Sequence, residues 1–478
     1  MKVLLINPPV PDNKNWVREG RCEQLDIWGM PFPPLSLGYI AGQIKSIAEI
    51  LVLDSGPMKL GIEETLKRIK EYKPDLLILS TATPTVNTDL GWFLSKVKEQ
   101  DRELKTAAIG IHVTDLAEET LNDFPALDFI IRNEPEITSK DLVSHLKEKD
   151  FHFENIKGLA FKRNGKIVIN EEREFLKDLD ELEFPDFHGI DFNNYRMPIS
   201  NQPFNLITFA RGCPFNCKFC NASTYYGKNI RKRSPEKIIE EIEKNIKEHN
   251  VYNFLFWTEF VTIDKDYLKN VLSLIKEKGL DKKIKWVSNS RASNIDLSLF
   301  EEMKKSGCWQ IAFGLEFGSN KILKISDKGP GASIEEHKKA VEAASEAGIV
   351  VDGHFILGYP GETEKNLKET IAFACSLPIT FAHFYIATPF PGSKLYREAI
   401  LNNWIKKPKW SSVSQDTPVI RTQVLDPKVI EEHIKMAYRK FYLNPKAIFR
   451  IARIAKNPSE FFNLFKTGVK FVLDILRK

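Results

Sequence analysis

Three cysteines lie close together in the middle of the chain, in the segment Arg211-Gly212-Cys213-Pro214-Phe215-Asn216-Cys217-Lys218-Phe219-Cys220. Cysteine thiolates are the usual ligands of iron–sulfur clusters, normally four for a cubane. Three thiolates in one tight loop can hold three irons and leave the fourth iron open to another molecule. Zinc motifs usually pair two such halves, and no second half exists here, so a zinc site or three incidental thiols are the weaker alternatives. The spacing predicts a [4Fe-4S] cluster on Cys213, Cys217 and Cys220.

The cysteine segment directly follows an apolar run, and short apolar runs then alternate with amphipathic stretches until about residue 400. This alternation is typical of βα units. Six units predict a partial (β/α)6 TIM barrel over residues 201–400, in which catalytic residues sit at the C-terminal ends of the strands. The predicted barrel strands are Asn205–Ala210, Asn253–Trp257, Lys285–Ser288, Gln310–Gly314, Val351–Leu357 and Phe381–Ala387.

Residues 1–147 show the same alternation and predict a separate α/β domain with an open, mostly parallel sheet. Ligands on such sheets bind beyond the carboxyl ends of the strands. No Gly-x-Gly-x-x-Gly motif follows the first strand, which weakens a dinucleotide-binding interpretation. The predicted strands are Val3–Asn7, Ile50–Asp54, Leu76–Ser80, Thr106–Gly110 and Phe129–Arg132.

Two further regions complete the predicted organisation. Residues 148–200 contain a β-hairpin turning at Asn164-Gly165, followed by an acidic, proline-bearing connector, and we interpret them as a linker. Residues 401–478 are predicted to be wholly helical, with Asn444-Pro445 and Asn457-Pro458 as helix starts.

Composition restricts the class of protein. A chain of 478 residues with 42% apolar residues can build two or three domain cores, and a net charge of +5 does not indicate a general nucleic-acid binder. No apolar run approaches the length of a membrane span. Met1–Ile6 is predicted to be a strand and not a signal peptide. Six cysteines in so long a chain argue against a disulfide framework, so a cytoplasmic protein is expected.

The CxxxCxxC spacing, with Phe219 before the last cysteine, resembles the radical S-adenosylmethionine (SAM) superfamily. Its other signatures occur in order after successive predicted strands. Glu259 matches the acidic residue that helps hold the SAM amino group, although Trp257-Thr258 departs from the usual glycine or acidic pair. Arg291 resembles the residue that faces the SAM carboxylate. Gly307–Glu316 matches a stretch near the ribose and adenine, with Glu316 as its candidate ligand.

This resemblance implies a known chemistry. A reduced cluster donates an electron to SAM, and cleavage of SAM yields a 5′-deoxyadenosyl radical that removes a hydrogen atom from the substrate. It also implies an external one-electron reductant of ferredoxin or flavodoxin type. The cofactor performs the difficult step, and the protein orients and shields it.

Residues 1–147 resemble the cobalamin-binding domain attached to one class of radical SAM enzymes, which implies a Rossmann-like, flavodoxin-type sandwich. The alternative is a generic doubly wound domain. The Asp-x-His-x-x-Gly motif, whose histidine ligates cobalt in other cobalamin proteins, is absent, so the resemblance implies cobalamin without a histidine below the metal. The candidate cobalamin-binding residues are Asn7, Pro8, Thr81, Thr83, Gly110, His112 and Glu134.

The last 46 residues carry eleven Lys and Arg against two acidic residues. Basic amphipathic helices rich in phenylalanine can lie in a membrane interface. Residues 433–478 could therefore contact the inner face of the membrane, or they could form a helical cap on the barrel with a solvated basic face. A membrane contact would suit a lipophilic substrate.

The predicted function is that of a cobalamin-dependent radical SAM enzyme that methylates an unactivated carbon of a lipophilic small molecule with methylcobalamin as methyl donor. The alternative is bond formation or cyclisation on a lipid or tetrapyrrole without methyl transfer, as in the similar anaerobic magnesium-protoporphyrin IX monomethyl ester cyclases. A non-catalytic cobalamin or iron–sulfur sensor and an RNA-modifying enzyme are weaker alternatives.

Several other residues could have chemical roles. Cys308 and Cys375 lie in apolar surroundings and are predicted to be core residues. Cys22 lies in a polar segment and could contact a cofactor or substrate. Four residues on or just after the late barrel strands could face the substrate or play a structural role: His354, Tyr359, His383 and Tyr385.

Overall fold

The protein is an α/β protein with two main sheets. The computed structural model describes residues 1–11, 16–19, 22–25, 30–293, 296–406, 409–422 and 424–477. Its strands are β1 Lys2–Asn7, β2 Trp16–Glu19, β3 Cys22–Leu25, β4 Glu49–Asp54, β5 Leu76–Ser80, β6 Lys105–Ile109, β7 Phe129–Ile131, β8 Leu159–Arg163, β9 Lys166–Ile169, β10 Phe204–Thr208, β11 Ala210–Arg211, β12 Arg231–Lys232, β13 Asn253–Trp257, β14 Lys285–Arg291, β15 Cys308–Glu316, β16 Val350–Leu357 and β17 Phe381–Ile386. Its helices are α1 Leu35–Ile44, α2 Ile62–Tyr72, α3 Leu94–Gln100, α4 Ile111–Asp115, α5 Ala117–Asp123, α6 Pro135–Glu148, α7 Ala222–Tyr225, α8 Pro235–His249, α9 Lys265–Glu277, α10 Leu297–Lys305, α11 Asn320–Ile325, α12 Ile334–Glu346, α13 Glu364–Ser376, α14 Lys394–Leu401, α15 Pro427–Tyr442, α16 Pro445–Ala452 and α17 Pro458–Arg477.

The front sheet has seven strands in the order β4-β1-β5-β6-β7-β8-β9. The first five strands are parallel to one another. β8 pairs antiparallel with β7, and β9 pairs antiparallel with β8. The chain starts in β1, crosses to β4 on one side and then continues through β5, β6 and β7 on the other. The direction of winding therefore reverses between β1 and β5, which is where ligands bind in open parallel sheets.

Both faces of the front sheet are covered by helices. Leu4 and Ile6 of β1 pack into one core, whereas Val3 and Leu5 pack into a second core on the opposite face. All four are fully buried. This explains why β1 is a continuous apolar run and not an alternating one, since strands buried on both faces need no polar side.

The predicted hairpin at Asn164-Gly165 exists, but it belongs to the front sheet. Asn164 and Gly165 have φ values of 51° and 75°, the left-handed geometry that a tight hairpin turn needs. β8 pairs antiparallel with β7 through Phe129–Phe161. The connector between the sheets is therefore shorter than the predicted linker of residues 148–200.

The second sheet contains six parallel strands in chain order, β10-β13-β14-β15-β16-β17. Amphipathic helices follow the strands and bury their apolar faces against them, for example Ile238 and Ile242 of α8 in the same core as Phe204 and Leu206 of β10. Several helices begin at a side-chain cap, such as Ser234, whose oxygen accepts from the Lys237 N–H at 3.3 Å. All carboxyl ends of these strands thus meet at one edge.

Helix α15 covers the edge strand β17. The Tyr438 hydroxyl lies within hydrogen-bond distance of both the N–H and the carbonyl of Phe384, at 3.2 and 3.3 Å. The Tyr442 hydroxyl does the same for Ala382, at 3.2 and 3.1 Å. Two phenols therefore replace the hydrogen bonds of a neighbouring strand and protect the edge.

The C-terminal region is only partly helical, which corrects the expectation for residues 401–478. In the described part of residues 402–426, the only helical element is one 3-10 turn, Trp410–Ser412. Helices resume at Pro427. Asn444 caps α16, as predicted, by accepting from the Lys446 N–H at 2.9 Å. Within the described residues, none of the helices combines the length and the apolarity that crossing a bilayer would require.

Candidate active site between the two sheets

The cysteine loop lies between β11 and α7, at the carboxyl edge of the second sheet. Gly212 has φ 98°, and a Cβ there would lie 2.0 Å from the Asn229 carbonyl oxygen, so only glycine fits. The next residue, Cys213, donates its N–H to the Gly227 carbonyl at 3.0 Å. The tight turn thus fixes the first cysteine at the strand end.

The three thiols lie in one partly exposed loop. The Cys220 N–H donates to the Cys217 carbonyl at 3.1 Å, and the Ala222 N–H points at the Cys220 sulfur at 3.4 Å. Arg291 Nη1 lies 3.9 Å from the Cys217 sulfur. Cysteine sulfurs with an N–H group and a guanidinium beside them are suited to be the anionic thiolate ligands of an iron–sulfur cluster.

Arg291, at the end of β14, lies against the cysteine loop as well as against its own sheet. Its guanidinium stacks on the Phe215 ring at 3.7 Å from the centroid and donates to the Pro330 carbonyl at 3.3 Å. The predicted carboxylate-binding residue therefore lies beside Cys217, where a cationic group can meet an anionic ligand.

Glu316, at the end of β15, forms a buried ion pair with Lys328. Its Oε1 lies 2.6 Å from Lys328 Nζ, and both side chains are almost fully enclosed. Glu316 has φ 61°, and a Cβ on Gly314 would lie 2.5 Å from its Oε1. Lys328 was not predicted. It lies in the turn Ser326-Asp327-Lys328-Gly329-Pro330, and its carbonyl lies 3.8 Å from the Cys217 sulfur.

Phe219 connects the cysteine loop with the late strands. Its ring packs edge-on against Phe317 and Tyr359, with centroids 6.3 and 6.5 Å away, and Lys328 Nζ lies 5.8 Å from it. Tyr359 therefore belongs to this apolar cluster and not to a group with His354 and His383.

Glu259 lies two residues beyond β13 and is partly exposed. Burial is the main cause of the raised pKa of the Tyr226 phenol, and the nearby charge of Glu259 raises it further. Arg291 and Glu316 thus end β14 and β15, and Glu259 follows the adjacent strand β13. Two carboxylates at one sheet edge, with the guanidinium of Arg291 beside Cys217, fit the amino, carboxylate and hydroxyl groups of SAM.

The candidate cobalamin residues meet at the carboxyl edge of the front sheet. Asn7 ends β1 and Pro8 follows it, Thr81 and Thr83 follow β5, and Gly110 and His112 follow β6, and all six are buried. The Asn7 side chain hydrogen-bonds Asp54, but its Oδ1 has no hydrogen-bond partner among the described residues. An unpartnered buried amide oxygen at the switch between β1 and β5 fits a ligand rich in amide groups, as cobalamin is.

A short hairpin that was not predicted covers this edge. The strands β2 and β3 bring Arg18 and Glu23 onto the loop after β5. Arg18 pairs with Asp89 at 2.9 Å, and Asp89 in turn accepts from Thr81 at 2.8 Å. Cys22 opens β3, but its side chain lies outside the described part of the structure.

Glu23 and His112 both contact Thr83. The Thr83 N–H donates to Glu23 Oε1 at 2.7 Å, and Thr83 Oγ1 lies 3.2 Å from His112 Nδ1. Burial raises the pKa of Glu23 to about 7 and lowers the pKa of His112 to about 3. The His112 ring packs edge-on against Trp410 at 4.7 Å. His112 is therefore a neutral imidazole with its Nδ1 engaged by the protein.

Glu134 joins the two sheets. Its carboxylate receives two hydrogen bonds of 2.8 Å from Arg231 and lies 3.3 Å from Arg211. Glu136 pairs with Arg211 at 2.6 Å. Both oxygens of Glu134 are thus already engaged by arginines of the two-stranded ribbon β11–β12, which is separate from the six-stranded sheet and whose first strand leads into the cysteine loop. The structure therefore places this predicted cofactor residue in the contact between the front sheet and that ribbon.

The loop after β17 forms a second contact between the sheets. The Gly392 N–H donates to Asp115 at 2.7 Å, and a Cβ on Gly392 would lie 3.0 Å from Ile111. The Thr224 hydroxyl, just after the cysteine loop, donates to the Gly392 carbonyl at 2.7 Å. The cysteine loop, the late barrel loop and the front sheet therefore meet in one place.

The two remaining cysteines are in apolar surroundings, as predicted. Cys308 is buried, and burial raises the pKa of its thiol well above the ordinary range. Cys375 is half-buried in α13, and burial raises its pKa as well. Neither lies at the carboxyl edge where the other three meet.

The chain is similar to several known proteins. Residues 207–374 match the model of the radical SAM superfamily. An uncharacterized methyltransferase of Pyrococcus horikoshii is 32% identical over 94% of both chains. The anaerobic magnesium-protoporphyrin IX monomethyl ester cyclase of Rubrivivax gelatinosus is 28% identical over 93% of this chain and 78% of its own.

Among solved structures, the cobalamin-dependent SAM radical enzyme OxsB, with aqua-cobalamin and SAM bound, has the same fold. It superimposes with a TM-score of 0.74 and 17% identity over 99% of this chain and 72% of its own.

Proposed function

Because this chain belongs to the cobalamin-binding radical SAM family, we propose that it methylates an unactivated carbon of a small lipophilic molecule. The observation that carries the proposal is the meeting of the three-cysteine loop with the carboxyl edges of both sheets, through Arg211, Glu134 and Glu136. A cofactor on the front sheet would thereby face a cofactor on the second sheet. Bound together, cluster and SAM supply the hydrogen-abstracting radical, and bound cobalamin supplies the methyl group.

The cofactor that we propose for each domain follows from the residues at the carboxyl edge of its sheet. Residues 1–147 would hold cobalamin, with Asn7 and the loops after β5 and β6 around it, and residues 201–400 would hold the cluster and SAM. His112 is engaged with Thr83 and Trp410, which supports cobalamin bound without a histidine from this chain on the metal. An electron paramagnetic resonance spectrum with hyperfine coupling from a protein nitrogen on cobalt would contradict this arrangement.

The protein's own residues would orient the cofactors and exclude water. Cys213, Cys217 and Cys220 would hold the cluster, Arg291 would meet the SAM carboxylate, and Glu259 its amino group. Glu316 would face the ribose, oriented by Lys328. Phe215 packs on Arg291 and Phe219 lies near Lys328, and apolar rings beside these charges would strengthen their interactions and help to protect a reactive radical from side reactions.

Product analysis tests the proposal directly. Holoprotein reconstituted with cluster and cobalamin, supplied with SAM and a one-electron reductant, is expected to form 5′-deoxyadenosine and S-adenosylhomocysteine in the presence of substrate. Cys217→Ser should abolish both products and lower the iron content. Cys308→Ser, the matched control, should retain both.

The second candidate function is cyclisation or carbon–carbon bond formation without methyl transfer. It is favoured by the similarity over 93% of this chain to a cyclase that acts on a tetrapyrrole ester. Formation of 5′-deoxyadenosine without S-adenosylhomocysteine would support this candidate and contradict methylation.

We further propose that the tail rests on an anionic membrane surface and thus gives access to a lipophilic substrate. Helices α16 and α17 expose five large apolar side chains: Ile448, Phe449, Phe461, Phe462 and Phe465, each at least 50% accessible. Lys446 of α16 and Lys466 of α17 are exposed, as are Arg453 and Lys456 in the connection between the two helices. Exposed phenylalanines with lysines and arginines are the composition of interfacial helices.

Not every basic residue of the tail supports this docking. Arg450 turns inward, donating from Nε to the Ile379 carbonyl at 2.7 Å, and burial lowers the pKa of its guanidinium. Helix α15, with Tyr438 and Tyr442 on β17, is a cap of the sheet. The docking surface is therefore restricted to α16 and α17, and the described part of α17 supplies most of it.

A further inference from the structure

We propose that Asp352, His354 and His383 form a site for one divalent transition-metal ion inside the second sheet. One donor atom from each residue, a carboxylate oxygen and two imidazole nitrogens, lies within 4.8 Å of the other two. His383 Nε2 is 3.0 Å and His354 Nε2 3.6 Å from the same oxygen, Asp352 Oδ2. This site is separate from the three cysteines.

The distances suit a shared ion. A tetrahedral metal with bonds of about 2.0 Å to nitrogen and oxygen places its ligands about 3.3 Å apart, and the two measured separations lie on either side of that value. Two imidazoles and a carboxylate are a donor set that zinc, iron(II) and manganese(II) accept. Three protein ligands leave a coordination position open for another oxygen.

The carboxylate is prepared for a cation. Asp352 is buried, and its Oδ2 faces the imidazole nitrogens of both His354 and His383. Its Oδ1 is buried as well and has no hydrogen-bond partner among the described residues. A buried carboxylate with one unpartnered oxygen and two histidines directed at the other is costly unless a cation is shared among the three side chains.

Neighbouring side chains hold the three ligands in place. Gln310 Nε2 lies 3.5 Å from Asp352 Oδ2, and the Tyr385 ring stacks on His383 with centroids 5.9 Å apart. Such outer contacts fix the orientation of metal-binding histidines. The three ligands come from two adjacent strands, β16 and β17, and not from a mobile loop.

The site lies next to the candidate SAM residues. His354 is in register with Gly314 on β15 and with His383 on β17, and Glu316 is the next inward-facing residue of β15. The His354 side chain is 32% exposed, so a bound ion would be accessible to an oxygen atom of a substrate in the sheet interior.

Zinc binding tests the site without any turnover. Holoprotein with its cluster assembled is dialysed against zinc chloride, and metals are counted by mass spectrometry. We expect one zinc per chain and, in X-ray absorption, a shell of nitrogen and oxygen at about 2.0–2.1 Å without sulfur. No retained zinc, or zinc with a sulfur shell, would overturn the proposal.

Substitutions locate the ion. His383→Gln and Asp352→Asn should lose the zinc and keep the iron of the cluster. His145→Gln is the matched control, because His145 pairs with Asp150 at a similar 3.6 Å but forms no three-ligand group among the described residues, and it should retain one zinc. Zinc retained by both site variants would overturn the assignment. If the variants lose the cluster, the X-ray absorption spectrum of the zinc-loaded wild-type protein decides whether the ion has only nitrogen and oxygen ligands.

Discussion

Arg211 and Glu136 tie the cysteine loop to the front sheet. Their charged groups are 2.6 Å apart, and both side chains are less than 10% exposed. Arg211 is two residues before Cys213, and Glu136 is in the first turn of α6, directly after β7. A buried ion pair at this position couples the geometry of the cluster loop to that of the front sheet.

Removal of one partner of this pair should destabilise the protein. Glu136→Gln removes the shorter of the two ion pairs of Arg211 and leaves Glu134 at 3.3 Å, and loss of one member of a buried pair costs about 3 kcal/mol or more. We expect a lower melting temperature and a lower iron content after dialysis.

Asp141→Asn is the control on the same helix. Asp141 pairs with Arg173, but its side chain is 39% exposed, so the loss should be below about 1 kcal/mol. Equal melting temperatures of the two variants would show that the contact between the sheets does not depend on Glu136.

The position of Glu316 should be sensitive to one methyl group. In Gly314→Ala the new Cβ would lie 2.5 Å from Glu316 Oε1 and 3.1 Å from Lys328 Nζ. The ion pair must shift, so we expect at least tenfold weaker SAM binding to cluster-loaded protein, about 1.4 kcal/mol, with unchanged iron content.

Gly61→Ala is the matched control, since a Cβ there meets nothing within 4 Å. It should bind SAM like the wild type. Wild-type affinity in Gly314→Ala would remove Glu316 from the SAM site.

The strands of both sheets could be predicted because the apolar pattern that marks a strand lies within a few consecutive residues. β5 of the front sheet and β13 of the second sheet, for example, are mostly apolar runs, and the predicted strands coincide with them. The hairpin β2–β3 was missed because half of its eight strand residues are polar. Arg18 and Glu23 are buried only because Asp89 and Thr83, more than 50 residues away, receive them.

The candidate site could be predicted only where a motif marks it. The cysteine spacing indicates a cluster by itself, whereas Lys328 has no motif and becomes visible only through its distance to Glu316. Glu134 lies in a recognisable motif, but its two arginine partners come from the distant ribbon β11–β12. Ion pairs between distant segments leave no periodic pattern in a sequence.

Glu362 should make stability depend on pH. It is fully buried, accepts the Tyr359 N–H at 2.7 Å, and burial raises its pKa from 4.5 to about 8. The folded state therefore binds this proton more tightly than the unfolded chain, and stability should fall as pH rises from about 4.5 to about 8, by about 5 kcal/mol at most.

Glu362→Gln removes this titration. We expect the variant to be more stable than the wild type at pH 9, and no more stable at pH 5, by thermal unfolding. Glu342→Gln, on the exposed surface of α12, should follow the wild-type profile. Parallel profiles of wild type and Glu362→Gln would contradict the raised pKa.

Docking of the tail should depend on its phenylalanines. In Phe461→Asp/Phe465→Asp two exposed rings, at 54% and 62%, become carboxylates that anionic lipid repels. The wild type should float with phosphatidylglycerol-containing liposomes, and it should float less with neutral liposomes and less at high salt. The double variant should stay in the soluble fraction.

Phe151→Asp is the control. Phe151 is similarly exposed, at 58%, but lies far along the chain from the tail, so this variant should float like the wild type. Equal recovery of the wild type and the double variant would show that α17 does not dock on the membrane.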